Sequence, residues 1–255
     1  MNFLISGSTD IGLVKHTNQD SLNVRVYSSG ESRVVLAVLC DGMGGLECGE
    51  IASASVIKAF CKWGEERLPY YVAYGVPEDE LRAEWDSIIN EMNLKIKSYG
   101  AGRGINLGTT LTAILLTDNK YVVVNVGDSR TYEIYDSVRC ITQDQTLVAM
   151  EVRNGIITEE QAKTDPRRSV LLQCIGASDS VKPDFFVGQT RENAVYMLCS
   201  DGFRHEISEY EIYSAFNPDN MLSADAMRQN ELQLIELNKQ RSERDNISVI
   251  TVRTY

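Results

Sequence analysis

The stretch Val34-Val35-Leu36-Ala37-Val38-Leu39-Cys40-Asp41-Gly42-Met43-Gly44-Gly45 decides how this chain is read. A run of apolar and β-branched residues stops at an aspartate, and glycines follow. The run shows no polar alternation, so a strand buried on both faces is expected. Glycine releases the backbone into a tight turn that other residues enter only under strain. Asp41 is therefore expected at the rim of a rigid sheet, beside exposed backbone carbonyls. That setting suits a hard cation, which takes oxygen ligands. A strand, a turn and a solvated aspartate would leave the same local sequence.

The pattern recurs. Tyr121-Val122-Val123-Val124-Asn125-Val126-Gly127 runs into Asp128-Ser129-Arg130, and Val195-Tyr196-Met197-Leu198-Cys199-Ser200 runs into Asp201-Gly202. Near the C-terminus, Asp245-Asn246 opens the run Ile247-Ser248-Val249-Ile250-Thr251-Val252. Three apolar strands end in aspartate and a fourth begins with one. If neighbouring strands alternate in direction, the four carboxylates meet at one edge. Two unpaired carboxylates about 4 Å apart repel by about 4 kcal/mol at an effective dielectric near 20. Such a cluster calls for cations, or for some of its members to stay protonated.

Composition narrows the function classes. The 255 residues carry a net charge of −11, which argues against binding naked nucleic acid. Apolar residues make up 43%, enough for a sizeable core. The cysteines Cys40, Cys48, Cys61, Cys140, Cys174 and Cys199 form no C-x-x-C pair, so a thiolate zinc site is not expected. All six read as reduced, which points to the cytoplasm. The N-terminal Met1-Asn2-Phe3-Leu4-Ile5 lacks the basic region and long apolar core of a signal peptide. No stretch approaches the ~20 apolar residues of a membrane span.

Along the chain, residues 3–8 read as a strand, followed by a polar loop to Asp20 in which the apolar pair Leu13-Val14 is expected to anchor the chain and aim Lys15. Strands are expected at 22–27 and 34–40, a helix at 51–63, an aromatic loop at 68–77 and a long amphipathic helix at 81–99. Short strands at 109–116, 121–126, 130–135 and 138–142 suggest an antiparallel meander. Residues 147–172 break the β pattern with two helical pieces around Asn154-Gly155. The second opens on Thr158-x-x-Gln161, a capping-box pattern, and should end at Asp165-Pro166. Arg153, Lys163, Arg167 and Arg168 gather there. This segment is expected as an insertion over the aspartate rim, an ordinary surface connection being the alternative. A strand pair at 184–189 and 194–199, helices at 208–216 and 223–241 and a last strand at 247–252 complete the chain. Two blocks of strands, each with its helices, give one α+β domain over residues 1–255, a sandwich of two sheets with helices outside.

These residues resemble the metal-dependent protein phosphatases of type 2C, the PPM family, in its bacterial form. The matching stretches are Asp10-x-Gly12 through Asn18-Gln19-Asp20, Asp41 to Gly45, Gly108-Thr109-Thr110, Gly127 to Arg130, Asp201-Gly202 and Asp245-Asn246. Each is weak alone; their order and spacing together are specific. The resemblance implies a four-layer αββα sandwich. It implies that Asp41 bridges two manganese or magnesium ions, that Gly42 offers a backbone carbonyl, and that Asp20, Asp201 and Asp245 complete the metal shell. Asp128, with Asp201, would hold a third, weaker ion. Lys15 would bind the substrate phosphate and residues 147–172 would be the variable flap. The implied function is hydrolysis of phosphoserine and phosphothreonine in proteins by a metal-activated water. Its partners would be phosphoproteins and a cognate serine/threonine kinase, and the enzyme would be a monomer.

Two departures from the family stand out. Arginine is usual where this chain has Lys15, and lysine is a point charge rather than a planar fork. Met43 stands where many eukaryotic members carry a histidine, so any proton for the leaving group must come from elsewhere. His16 and His205 are expected as solvated loop residues. The rival reading is a non-catalytic phosphoprotein-binding module on the same fold; Lys15 favours it and the complete aspartate set opposes it.

Overall fold

The computed structural model of the protein describes residues 1–43 and 48–255; Gly44 and Gly45, expected to complete the turn after Asp41, lie outside them. The stretch around Val38 becomes β3 (Ser32–Met43). Its two faces explain the missing polar alternation. Val34, Leu36, Val38 and Cys40 enter one apolar layer, and Val35, Ala37 and Leu39 enter another. Neither set meets water, so neither needs a polar residue.

One sheet has the order β2 (Asp20–Ser29), β3, β5 (Leu111–Leu116), β6 (Lys120–Val126), β9 (Asp184–Gln189), with the two-residue β4 (Gly108–Thr109) attached to β3. The other has the order β1 (Phe3–Asp10), β11 (Ile247–Thr254), β10 (Val195–Cys199), β7 (Arg130–Ile134), β8 (Val138–Cys140). The pairings are antiparallel throughout. Helices α1 (Gly49–Tyr74) and α2 (Glu78–Ala101) cover the first sheet through Phe60, Trp63 and Trp85. Helices α6 (Glu209–Phe216) and α7 (Ala224–Gln240) cover the second through Phe216, Met227 and Leu234. Ile114, Val123, Leu198 and Ile250 fill the space between the sheets. The four layers are therefore α, β, β, α, as expected. Among the described residues no helix is long and apolar enough to cross a membrane.

Three local expectations are corrected. Residues 68–74 are not a loop: α1 continues through Pro69 to Tyr74. An interior proline costs a helix roughly 3 kcal/mol. Here Leu68 and Tyr71 are buried, Tyr71 packs on Trp63 at 6.2 Å, and Arg67 pairs with Glu80 and Glu84 across to α2. The strands at 184–189 and 194–199 do not pair with each other. β9 joins β6 in one sheet, while β10 lies between β7 and β11 in the other. The expected meander is likewise divided, because the chain leaves β6 at Gly127 (φ +99°) and enters the second sheet as β7. Alternation along a strand reports which residues are buried, not which strand lies beside it.

Residues 147–172 hold α3 (Leu147–Arg153) and α4 (Glu159–Thr164). The expected capping box is present: Thr158 Oγ1 accepts from Gln161 N and Gln161 Oε1 accepts from Thr158 N.

α7 carries one acidic group into the packed layer. Glu231 accepts hydrogen bonds from Ser6 and Ser8 on β1 (2.8 Å each) and from Thr251 on β11 (2.6 Å). Burial raises its pKa, and the three hydroxyls only partly offset this. An acid whose folded pKa is raised holds protons that the unfolded chain releases. Its contribution to stability therefore falls as pH rises through the carboxylate range. Glu231→Gln should flatten that part of the decline: near-equal stability to wild type at acid pH, and a growing relative advantage toward neutrality. Urea melts of both proteins from pH 4 to 8 in chelator check this. A pH-independent difference would show that Glu231 is not held with a raised pKa.

Candidate metal centre

The two sheets bring their aspartates to one end. Asp20 opens β2 and lies directly across from Asp41 in the β2–β3 register. Asp128 follows the turn after β6, Asp201 begins the short helix α5 (Asp201–Arg204) after β10, and Asp245 precedes β11. The Asp41 backbone is held independently of its side chain. Its N–H donates to Thr110 Oγ1 at 3.0 Å, and its carbonyl accepts from Thr110 N and Thr109 Oγ1, both at 2.9 Å. β3 continues past Asp41 to pair Gly42 with Thr109, so the aspartate sits within the strand's last turn of pleat rather than beyond its end.

Gly42 is required by close approach. A Cβ there would lie 2.3 Å from Gly49 O and 2.5 Å from Gln19 O. Its N–H donates to Gln19 O at 3.1 Å. With the Gln19 amide oriented to satisfy both its ends, its nitrogen donates to Gly42 O at 3.2 Å and its oxygen accepts from Gly49 N at 3.1 Å. A carbonyl oxygen has a second lone pair, so Gly42 O keeps one acceptor direction.

The carboxylates share one electrostatic basin. Burial raises Asp41 well above the usual carboxylate range, and Asp20, Asp201, Asp128 and Asp245 push it further. Asp20 is raised to about 7, first by burial and then by Asp201 and Asp245. The Ser248 and Ser200 hydroxyls oppose this, yet neither is aligned as a hydrogen bond to Asp20. Ser248 Oγ is engaged by Thr9 Oγ1 at 2.7 Å, and Ser200 Oγ accepts from Ser248 N at 3.0 Å. Among the described residues, both Asp20 carboxylate oxygens and Asp201 Oδ1 are buried with no hydrogen-bond partner. Buried polar atoms are seldom left so, because desolvation then goes uncompensated. An all-oxygen set with orphaned carboxylate atoms fits manganese or magnesium. No three acidic, histidine or cysteine side chains among the described residues converge at ligand spacing on one point. The basin therefore gathers charge without presenting a closed coordination shell.

Lys15 enters this basin. Its Nζ lies 2.6 Å from Asp245 Oδ1. Burial pulls its pKa down, but Asp245, Asp41 and Asp201 outweigh that and hold the ammonium above its ordinary range. The expected anchor is not the one observed. Leu13 and Val14 are 58% and 48% exposed, so they do not fix the loop. Asn246 does: its Oδ1 accepts from Gln19 N at 2.9 Å, and its Nδ2 donates to Ile11 O at 2.9 Å and Thr17 O at 3.3 Å. Asp10 shapes the start of the loop by accepting from Gly12 N at 2.8 Å.

His16 is exposed, as expected, but His205 is not a solvated loop residue. Its Nε2 lies 3.5 Å from Asp201 Oδ2 and its Nδ1 3.3 Å from Glu243 Oε2. Burial lowers its pKa, and Glu243 and Asp201 more than restore it. A histidine four residues beyond an acid in a short helix carries no sequence mark of that placement. Three further cations sort themselves. Arg130 forks onto Asp144 at 2.7 and 2.8 Å, and Arg167 is held by Glu151 and Asp165. Arg168 instead reaches an open cleft of about 370 Å³, lined also by Lys15, Asp201, His205, Arg244 and Asp245. The 147–172 segment thus touches the aspartate rim at its C-terminal end.

Comparison with known proteins bears on the same region. Residues 14–234 match the family model described as protein phosphatase 2C. The chain is 30% identical over 247 residues to a serine/threonine phosphatase, stp, of Listeria monocytogenes, covering 96% of this chain and 93% of that one. The S. agalactiae serine/threonine phosphatase superposes with a TM-score of 0.86 at 29% identity, over all of both chains. The catalytic domain of the phosphatase PstP, solved in complex with 2 manganese ions, superposes with a TM-score of 0.77 at 30% identity, over 98% of this chain and 97% of that one.

Proposed function

The chain belongs to the protein phosphatase 2C family, and from that premise we propose that the aspartate basin is the catalytic centre of a metal-dependent serine/threonine protein phosphatase. Asp20, Asp41, Gly42, Asp201 and Asp245 would hold two manganese or magnesium ions. Asp128, expected as the ligand of a third ion, lies in the same basin, with Arg204 Nη2 3.8 Å from its Oδ2. The observation that carries this reading is the set of orphaned buried oxygens on Asp20 and Asp201 beside Asp41. Hydrolysis of phosphate monoesters is among the slowest uncatalysed reactions. When bound, a pair of divalent ions supplies charge stabilisation for the phosphoryl group and a water of lowered pKa. The protein's own part is to hold the acidic groups on strand ends that cannot move apart, and to bring the substrate phosphate to them.

Lys15 is the group best placed for the phosphate. It is part-exposed at the cleft, and its only ion pair among the described residues is with Asp245. Arg130 and Arg167 are committed to carboxylates, which leaves Arg168 and Arg244, both at the same cleft, as further candidates. Met43 has no proton to give. We further propose that residues 1–255 act as one catalytic domain with 147–172 as its flap. We place its substrates among phosphoserine and phosphothreonine proteins, opposite a cognate serine/threonine kinase. The enzyme would be monomeric and cytoplasmic; six unpaired cysteines support a reducing compartment. The complete acidic set counts against a binding module without catalysis. Manganese-dependent release of phosphate from a phosphothreonine peptide, abolished by chelator, tests the reading. Binding of the peptide without turnover at saturating manganese would favour the module instead.

Replacing Lys15 tests the phosphate contact. A charge-assisted hydrogen bond is worth roughly 1.5–3 kcal/mol, so Lys15→Ala should lose about ten- to a hundredfold in kcat/KM, mainly through KM. Lys15→Arg should lower KM or leave it unchanged, since arginine adds a second parallel hydrogen bond. Steady-state kinetics of the three proteins on one peptide decide it. If Lys15→Ala matches wild type, the phosphate is held elsewhere, and Arg168 is the next residue to replace.

A further inference from the structure

Arg204 ends α5 three residues after Asp201 and turns its guanidinium inward. Its side chain is only 14% exposed. Nη2 donates to the Asp128 carbonyl at 3.1 Å and to Asp144 Oδ2 at 3.3 Å, and stands 3.8 Å from Asp128 Oδ2. Arg130 grips Asp144 from the other side through Nε and Nη2. Two guanidinium groups thus face two carboxylates, Asp128 and Asp144, equal in formal charge. Asp144 also continues toward the flap, where its carbonyl accepts from Arg153 Nη1 at 2.9 Å.

The rest of the basin is not balanced in this way. Asp20, Asp41, Asp201 and Asp245 face one lysine, on Asp245, and His205, on Asp201. Those four meet one ammonium and one imidazole, whereas Asp128 and Asp144 meet two guanidinium groups; burial and Asp201 still push Asp128 up to about 7, and Arg204 opposes them. A divalent ion at Asp128 would have to sit a few ångströms from a guanidinium that cannot lose its proton. The site is buried, so solvent and salt screen that repulsion poorly. Moving Arg204 aside would also break its hydrogen bonds to Asp128 O and Asp144.

Resting on the metal reading of Asp41 and its neighbours, we propose that Arg204 is a resident countercharge that keeps a third divalent ion off Asp128. The protein then works with two bound ions, and Asp128 is tied to the base of the flap through Asp144 rather than to a metal.

Manganese uptake by the full chain tests this, counted by calorimetric titration and by metal analysis after dialysis at fixed ionic strength. Wild type should bind two ions per chain, and Asp128→Asn should bind the same two. Arg204→Gln removes the charge while keeping a donor for Asp128 O, and should rise to three ions. The double variant with Asp128→Asn should return to two. Arg204→Lys, which keeps the charge, should stay at two. Three ions in wild type, the third lost in Asp128→Asn, would overturn the inference and leave the metal reading standing. A folded Arg204→Gln that still binds two would also overturn it. If Arg204→Gln does not fold, wild type against Asp128→Asn decides alone. Uptake of no manganese by wild type, or uptake unchanged in Asp41→Asn, would remove the metal reading and this inference with it.

Discussion

Asp41→Asn should abolish manganese-dependent phosphatase activity while leaving the fold intact. The backbone at Asp41 is fixed by Thr109 and Thr110 and does not depend on the carboxylate. Asparagine is nearly isosteric, so the side chain would occupy the same place with one anionic oxygen fewer. Loss of an outer partner of a metal ligand already costs roughly 10–100-fold; loss of the central ligand itself should cost well more than that in kcat/KM. The same variant carries a second readout, with the opposite sign. Asp41 and Asp20 are held above the usual carboxylate range, Asp20 at about 7. In chelator the folded protein therefore retains protons that the unfolded chain releases, and stability falls as pH rises toward neutrality. Asp41→Asn removes one of the repelling charges. At pH 7 in chelator it should be at least as stable as wild type. Added manganese should then stabilise wild type, by binding the folded state alone, and stabilise the variant much less. Thermal melts with and without manganese, beside phosphopeptide kinetics, measure both effects. Substantial turnover by the variant, or an equal manganese-induced shift in both proteins, would take Asp41 out of the metal centre.

The second large effect is expected at Asn246, which is 3% exposed and holds the loop that delivers Lys15 and Asp20. Asn246→Ala leaves Gln19 N–H and the carbonyls of Ile11 and Thr17 without their side-chain partner. Each buried orphan costs about 1–3 kcal/mol. Water can recover part of this at the exposed side of the loop, so a net loss of about 3 kcal/mol is expected from the mechanism of unsatisfied buried groups. At this chain length that corresponds to a fall in Tm of roughly 6–12 °C. Activity should fall further than stability alone requires, through KM, because Lys15 is no longer aimed. Asn246→Asp keeps the acceptor for Gln19 N but loses both donations and adds a negative charge to an acidic basin, so it should be no better than alanine. Amide exchange at Gln19 gives a local check: its protection should drop in Asn246→Ala before global unfolding does. A melt within about 0.5 kcal/mol of wild type, the range of ordinary surface changes, would mean that the loop is held by other contacts.

Much of the architecture could be read from residue order alone. The unbroken apolar run of 34–40 reported burial on both faces, and that requires a layer on each side of its sheet. Aspartates at the ends of three such runs and the start of a fourth reported a shared edge, because a strand's end is set by its own sequence. Capping at Thr158 and the helical stripes of α2 and α7 were equally local. All of these are periodicities or punctuation within about a dozen residues, and the chain carries them whatever its tertiary partners are.

The tertiary structure alone decided which strands lie side by side, that Pro69 stays in a helix, and what each charged group near the edge is doing. Asn246 meets Gln19 across 227 residues of chain, Arg204 meets Asp128 across 76, and His205 sits between Asp201 and Glu243. Lys15, Arg130, Arg167, Arg168 and Arg204 are all simply basic residues in sequence. One pairs with a basin aspartate, two are locked to carboxylates outside the basin, one is left facing the cleft and one is buried as a countercharge. A side chain's charge is intrinsic to its residue, whereas its partner is set by where distant strand ends are brought together. Burial then fixes the outcome, since a polar atom removed from water must find its partner among whatever the fold has placed within reach.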